Sequence, residues 1–196
     1  MNSFTKTQAI TEIVRCTPGL PVVFTTGYAS RIGAGVADRP QHFYMTGSMG
    51  LALSVGTGVA ATVGTPTVVV DGDGSVLMNP VGLISVGTRR ELPLAHIVLD
   101  DGQYASTGGQ GTPKAAFDFA ALARTTGYRS VHTVTGVGQL TSLLDEFLDQ
   151  PAGPRFVHCV LRGIDSPPPA RISQPLPEHA RRFTEGVVGH RSTVPR

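Results

Sequence analysis

The feature that most constrains the fold is an apolar run at 66–70, Pro-Thr-Val-Val-Val, which leads directly into an acidic, glycine-rich turn at 71–75. A β-branched run without polar alternation predicts a strand buried on both faces, as in parallel sheets. Other strand-like runs lie at 20–24, 42–45, 94–99, 129–133 and 156–161, and they alternate with helix-like stretches at 4–16, 51–63, 76–90, 117–125, 137–149 and 178–184. The alternation predicts a three-layer α/β/α fold around a mostly parallel sheet.

Length and composition set the broad class of protein. The 196 residues predict one domain over 1–196, with a core at about 18–162 and a C-terminal extension at 163–196. Apolar residues make up 40% of the chain and charged residues only 15%, which excludes a disordered polymer. A net charge of +2 without clustered bases argues against a nucleic-acid partner, and no apolar run is long enough for a membrane span.

The two cysteines, Cys16 and Cys159, are too few for a disulfide framework. Both lie in stretches with apolar neighbours, so we expect free, reduced thiols. That cysteine usage predicts a cytoplasmic protein.

Glycine-bearing turns follow four of the predicted strands, at 25–27, 46–50, 71–75 and 100–102. Because the carboxyl ends of parallel strands meet at one edge of a sheet, these turns should gather there. Asp73 lies between two glycines that let the backbone approach an anion, and Asp101 follows 28 positions later. Two carboxylates beside phosphate oxygens suit Mg²⁺. The alternative is that Asp73 caps a helix and that Asp100 and Asp101 cap a loop.

These turns also carry a family resemblance. Gly72-Asp73-Gly74-Ser75 and the spacing to Asp100-Asp101-Gly102 resemble the diphosphate- and Mg-binding motif of thiamine diphosphate enzymes, which normally ends in Asn-Asn. The segments that resemble one branch of that family, the phosphonopyruvate and sulfopyruvate decarboxylases, are 25–31, 38–45, 47–50, 77–79 and 106–110.

The resemblance covers only the C-terminal, diphosphate-binding half of such an enzyme. It therefore implies a β-type subunit of a split enzyme, whose pyrimidine-binding, α-type partner subunit supplies the glutamate that activates the cofactor. No catalytic residue is assigned to this chain, and a hetero-oligomer such as α2β2 or larger is implied.

The cofactors implied are thiamine diphosphate and Mg²⁺. Asp73, Asp101 and the backbone carbonyl of Gln103 match the metal ligands, and the resemblance leaves open whether Asp100 or Asp101 faces the ion. The positions that match cofactor-binding positions of the family are Thr26, Gly27, Tyr28, Gly47, Ser48, Met49, Gly72, Asp73, Gly74, Ser75, Asp101, Gln103 and Tyr104. Met49 matches the residue that supports the bent cofactor, although a core methionine would look the same.

The substrate implied is a small 2-keto acid with a terminal anion. Arg31, Ser106, Thr107 and Gln110 are candidates for binding that anion, against the alternatives of a surface arginine and a solvated loop. The implied reaction converts phosphonopyruvate to phosphonoacetaldehyde and CO₂, with sulfopyruvate and sulfoacetaldehyde as the alternative pair.

Two other classes of function stay open. One is a non-catalytic regulatory subunit with the same fold, because Asp101 stands where the family has Asn. The other is a dinucleotide-binding domain, although the first strand is not followed by Gly-x-Gly-x-x-Gly.

Overall fold

A computed structural model describes residues 4–113 and 116–191. Helices and strands alternate along most of this part of the chain. In order they are α1 (Lys6–Cys16), β1 (Val22–Phe24), α2 (Tyr28–Val36), β2 (His42–Tyr44), α3 (Ala52–Val63), β3 (Thr67–Gly72), α4 (Asp73–Met78), α5 (Val81–Gly87), β4 (Leu94–Asp100), β5 (Gln103–Tyr104), β6 (Gln110–Gly111), α6 (Phe119–Thr126), β7 (Ser130–Val134), α7 (Val137–Asp149), β8 (Arg155–Val160) and α8 (Leu176–Arg191).

The main sheet has six parallel strands in the order β2-β1-β3-β4-β8-β7. Helices α1, α2 and α7 pack on one face, around Val68, Val70 and Ile97. Helices α3, α5, α6 and α8 pack on the other face, around Val69 and Val98. The predicted three-layer α/β/α fold with a parallel sheet is therefore confirmed.

The chain reverses its direction of travel across the sheet at β1, which pairs with β2 on one side and β3 on the other. A crevice opens beyond the carboxyl ends of the strands at such a switch point, and ligands of open α/β sheets bind there. The turns after β1, β3 and β4 all reach this edge. The fold thus brings the predicted site residues to one place.

Helix α2 was not predicted from the sequence. Its small residues, among them Gly33 and Gly35, hide the helical period. Gly33 is needed because a Cβ there would lie 2.8 Å from the Phe24 ring. The helix therefore packs closely on β1, and burial of Ala29 and Ile32 stabilises it.

The single helix predicted at 76–90 is wrong. Helix α4 begins at Asp73, directly after β3, and the chain breaks at Asn79 and Pro80 before α5. Pro80 has no N–H for a helical hydrogen bond, and the Asn79 side chain donates to the Gly50 carbonyl at 3.0 Å. The Asn79 side chain at this break thus ties the end of α4 to the loop after β2.

The ends of the described chain also join the core. Ile10 and Ile13 of α1 are fully buried, and Phe183 and Val187 of α8 are buried too. Helix α8 is longer than predicted. The loop predicted at 106–113 contains strand β6, which pairs with β5 in a small hairpin. As predicted, Cys16 and Cys159 are buried and free.

The segment 163–175, which we call the C-terminal strap, crosses the start of α1. Just before it, Arg162 exchanges two backbone hydrogen bonds with Phe4. The Asp165 carboxylate then accepts from the backbone N–H groups of Lys6 and Thr7, each at 2.9 Å.

None of the helices in the described residues combines the length and apolarity needed to cross a membrane.

Two glycines of α3 give a matched test of the packing between helix and sheet. A Cβ at Gly56 would overlap the Val69 side chain, whereas a Cβ at Gly58 would meet nothing within 4 Å. We expect Gly56→Ala to lower the free energy of unfolding by about 1–3 kcal/mol through overpacking. Gly58→Ala should raise it by up to about 1 kcal/mol, since alanine favours the helix. Urea unfolding measures both, and equal effects would contradict the packing described.

Candidate functional site

A small cavity of about 60 Å³ lies beyond the carboxyl ends of β1, β3 and β4. Its walls come from the turns after these strands, from α1 and α2, and from β5. The predicted cofactor residues among its walls are Thr26, Tyr28, Met49, Gly72, Asp73, Gly74, Ser75, Gln103 and Tyr104. The structure therefore brings most of the predicted residues together.

Asp73 is the central acidic group of this cavity and is only 2% exposed. The Thr112 hydroxyl donates to its Oδ2 at 2.7 Å. Burial raises the pKa of Asp73, the Thr112 hydrogen bond lowers it, and the nearby charges of Asp100 and Asp101 raise it further. A cation beside this carboxylate would favour its charged form.

Asp100 and Asp101 point to different partners. Asp100 accepts hydrogen bonds from His158 at 2.9 Å and from the Gly102 N–H at 3.0 Å. Asp101 is paired through Oδ2 with the Lys6 ammonium at 2.7 Å, and Lys6 lines the cavity. The second oxygen of Asp101, Oδ1, is buried and has no hydrogen-bond partner among the described residues. Asp101 is thus the carboxylate of this pair with an unused acceptor.

The Ser75 hydroxyl joins three segments at the cavity wall. Thr25 Oγ1 lies 2.9 Å from Ser75 Oγ, and the Gly50 N–H donates to the same oxygen at 3.0 Å. The Ser30 hydroxyl also joins the turns after β1 and β2, since it lies 2.7 Å from the Thr25 carbonyl oxygen and 3.0 Å from the Met45 carbonyl oxygen. These contacts hold the turns after β1 and β2 and the start of α4 in fixed relative positions.

Backbone geometry in these turns depends on small residues. Gly27 has a φ of +93°, and a Cβ there would lie 2.7 Å from the Ser106 hydroxyl. The Tyr104 ring packs directly over Gly74 and leaves no room for a side chain at that position. Ser48 adopts a φ of +55°, which is uncommon outside glycine and is often found at functional loops.

A second cavity, of about 370 Å³, adjoins the first, and the two share the walls formed by Thr26, Met49 and Ser106. The predicted residues Gly27, Arg31 and Thr107 line this second cavity.

Four other predicted residues lie outside both walls. Gly47 and Ser48 belong to the loop that leads to Met49, Gln110 lies on β6, and Asp101 is paired with Lys6, which does line the first cavity.

Sequence reasoning missed several residues that the fold brings to the cavity walls or to the acidic groups beside them. Lys6 and Thr112 contact the two acidic groups but lie far from them in the chain, so no local pattern could reveal them. Asp71, which lines the first cavity and is 2% exposed, is adjacent to the motif and could have been noticed. Within the described residues, no three His, Cys, Asp or Glu side chains group into a metal site.

Comparison with known proteins identifies a family. The profile for "Thiamine pyrophosphate enzyme, C-terminal TPP binding domain" matches residues 25–159. A phosphonopyruvate decarboxylase from Streptomyces viridochromogenes is 46% identical over 85% of this chain and 42% of its own. A sulfopyruvate decarboxylase subunit beta from Methanothermobacter thermautotrophicus is 33% identical over 86% of this chain and 87% of its own.

A solved structure shows the same fold. It is described as a thiamin diphosphate-dependent enzyme from Mycobacterium smegmatis, and it matches 79% of this chain and 32% of its own, with a TM-score of 0.64 and 21% identity. The chain spans less than half the length of the phosphonopyruvate decarboxylases it matches, and most of the length of a separate β subunit. From the profile match and the beta-subunit relative together, the chain belongs to the thiamine pyrophosphate enzyme family and carries its C-terminal, TPP-binding domain.

Proposed function

We propose that the first cavity binds the diphosphate of thiamine diphosphate through a Mg²⁺ ion. The observation that carries this proposal is a pair of carboxylates, with Asp73 in the cavity wall and Asp101 bound to Lys6 of that wall. Asp73 is buried, and Asp101 has a buried oxygen without a hydrogen-bond partner among the described residues. Buried carboxylate oxygens are costly unless they are paired or coordinate a metal. The donor set is all oxygen, as Mg²⁺ prefers.

In this proposal Asp73, Asp101 and the backbone carbonyl of Gln103 hold the ion. Because Mg²⁺ takes six oxygen ligands, diphosphate oxygens and water would supply the others. Gly74 and Ser75 line the same cavity, and an N–H and a hydroxyl group are donors that suit a phosphate oxygen. Ser75 Oγ accepts from the Thr25 hydroxyl and from the Gly50 N–H, which leaves its own proton available for a ligand.

When bound, the cofactor would supply an electron sink for the electron pair of the C–C bond that breaks as CO₂ leaves. The residues of this chain hold and shield it. Tyr104 covers Gly74, and Met49 forms part of the wall between the cavities, where it can support the ring system of the cofactor. Thr26, Gly27, Tyr28, Gly47 and Ser48 complete the proposed contacts.

We propose decarboxylation of phosphonopyruvate to phosphonoacetaldehyde as the reaction. Two Streptomyces proteins named phosphonopyruvate decarboxylase are 46% and 43% identical to this chain. Sulfopyruvate is the second candidate, because the chain covers 87% of a protein named sulfopyruvate decarboxylase subunit beta. Both substrates are three-carbon 2-keto acids with a tetrahedral anion at the far end.

We further propose that the pyrimidine-binding half, with its activating glutamate, comes from a partner subunit, and that the assembly is a cytoplasmic hetero-oligomer. An exposed apolar patch supports a partner beside the site. Leu51, Met78, Val81 and Ile84 are 45–63% exposed. Leu51 follows Gly50, which contacts Asn79 and Met78, so the patch continues the loop that carries Met49. Patches of this kind mark protein interfaces.

The Lys6–Asp101 pair is the third element of the proposal. In the family Asn is usual at the position of Asp101, so this chain places one extra negative charge beside the diphosphate. Lys6 lies 2.7 Å from that carboxylate, and the two side chains are only 12% and 20% exposed. Lys6 therefore balances the added charge and keeps Asp101 compatible with an anionic cofactor.

Replacing the Lys6 side chain tests this charge balance through the stability of the protein, with no cofactor bound. We expect Lys6→Met to lower the free energy of unfolding by about 2 kcal/mol, because a partly buried carboxylate loses its counter-charge. Adding Asp101→Asn to Lys6→Met should recover at least half of the lost free energy of unfolding. The matched control is the exposed pair Arg181–Glu185, whose coupling should stay below about 0.5 kcal/mol. A Lys6–Asp101 coupling as small as the control, measured by a double-mutant cycle in urea, would contradict the pairing.

The apolar patch predicts where the partner binds. Ile84→Lys places a charge within the patch and should weaken association with the pyrimidine-binding subunit by at least about tenfold. Ile164→Lys is the matched control, since Ile164 is 98% exposed on the strap. Sedimentation of the mixed subunits measures both. Equal association of the two variants would show that the partner does not cover the patch.

Side-by-side assays test the reaction. The assembled complex should release CO₂ from phosphonopyruvate, with sulfopyruvate as the rival substrate, and this chain alone should show little turnover. Asp73→Asn should lower turnover by roughly a hundredfold or more, since even outer-shell losses at metal sites cost 10–100-fold. Asp118→Asn, at the exposed cap of α6, serves as control. Rapid turnover by the lone chain would refute the split enzyme. A complex that binds thiamine diphosphate but decarboxylates neither acid would favour a regulatory subunit.

A further inference from the structure

The second cavity has the composition of an anion site. Among its walls are the guanidinium groups of Arg31 and Arg171 and the hydroxyls of Thr46, Ser106 and Thr107. None of the described residues that line it is acidic. Hydroxyl and guanidinium donors around a volume of about 370 Å³ fit a small molecule with a terminal oxyanion. The shared wall at Met49 places such a molecule next to the proposed cofactor site.

Arg31 already uses two of its five N–H donors within the protein. Its Nε donates to the Pro169 carbonyl at 2.6 Å, and its Nη2 donates to the Pro168 carbonyl at 3.2 Å. The guanidinium carbon also lies 5.3 Å from the centre of the Tyr28 ring. Arg31 therefore holds the C-terminal strap against α2 and has fewer hydrogen-bond donors to offer a ligand.

The strap is fixed on both sides of Arg171. On one side, Pro169 packs against α2 so closely that a Cβ at Gly35 would lie 2.7 Å from it. On the other side, Ile172 packs against the hydrophobic core. These two contacts anchor the backbone three residues apart, with Arg171 between them at the wall of the cavity.

Arg171 also differs from Arg31 in its partners. Its side chain is exposed, and no carboxylate pairs with it in the described part of the chain. Its donors are therefore available. An unpaired guanidinium at a cavity of hydroxyl groups attracts an anion and can bind two of its oxygens at once.

We propose that Arg171, on the C-terminal strap, binds the terminal tetrahedral anion of the keto acid and so selects phosphonate- or sulfonate-bearing substrates over pyruvate. This inference rests on the proposed function. In this proposal the terminal anion lies at Arg171 in the second cavity, and the keto end lies toward the wall at Met49 that this cavity shares with the cofactor site.

The test compares substrates that differ only in the terminal anion. In the assembled complex, Arg171→Met should lower the ratio of kcat/KM for phosphonopyruvate to kcat/KM for pyruvate by at least about tenfold, because a charge-assisted contact is lost. Arg171→Lys should recover part of the ratio, since it restores the charge without the planar fork. Arg181→Met, on the exposed face of α8, is the control and should keep the wild-type ratio. An unchanged ratio in Arg171→Met would overturn the proposal.

A binding measurement separates this inference from the reaction itself. Methylphosphonate, followed by ³¹P NMR line broadening, should bind the wild-type complex and bind Arg171→Met at least about tenfold more weakly. If no keto acid is decarboxylated, the proposed function fails, yet loss of methylphosphonate binding in Arg171→Met still supports the anion site. Equal binding by both proteins, or no binding by the wild type, would overturn it.

Discussion

The burial of Asp73 at the end of β3 is the constraint on which the site depends. Strand and helix meet there without a loop, so the carboxylate cannot turn away to solvent and is only 2% exposed. Burying a charge costs several kcal/mol unless it is paired. The Thr112 hydroxyl offsets part of that cost. The proposed Mg²⁺ would offset the rest. Asp73 is therefore the residue of the site whose buried charge the bound ion would stabilise most.

The parallel pairing of β1, β3 and β4 brings the other groups to Asp73. It gathers the turns that carry Thr25, Ser75 and Gln103. The Ser75 hydroxyl then holds the turns after β1 and β2 against the start of α4. Segments distant in sequence complete the arrangement. Lys6 from α1 pairs with Asp101, and the C-terminal strap carries Arg171 to the second cavity. Both ends of the described chain therefore contribute to the same edge of the sheet.

The fold and the inner part of the site could be predicted from the sequence. Strand runs and glycine turns are local signals, and the motif around Asp73 carries its spacing with it. Helix α2 escaped prediction because its glycines serve close packing, Gly33 against Phe24 and Gly35 against Pro169, rather than helical propensity. The break at Pro80 was overlooked although proline signals it. Lys6, Thr112 and Arg171 could not be found, since only tertiary packing brings Lys6 and Arg171 to the cavity walls and Thr112 to Asp73.

The most direct test of the central claim is a crystal structure of the assembled complex with thiamine diphosphate and Mg²⁺. The account predicts an ion at about 2.1 Å from a carboxylate oxygen of Asp73 and from Oδ1 of Asp101, with the diphosphate against Gly74 and Ser75. A diphosphate bound outside the first cavity, or an ion held by neither aspartate, would contradict it.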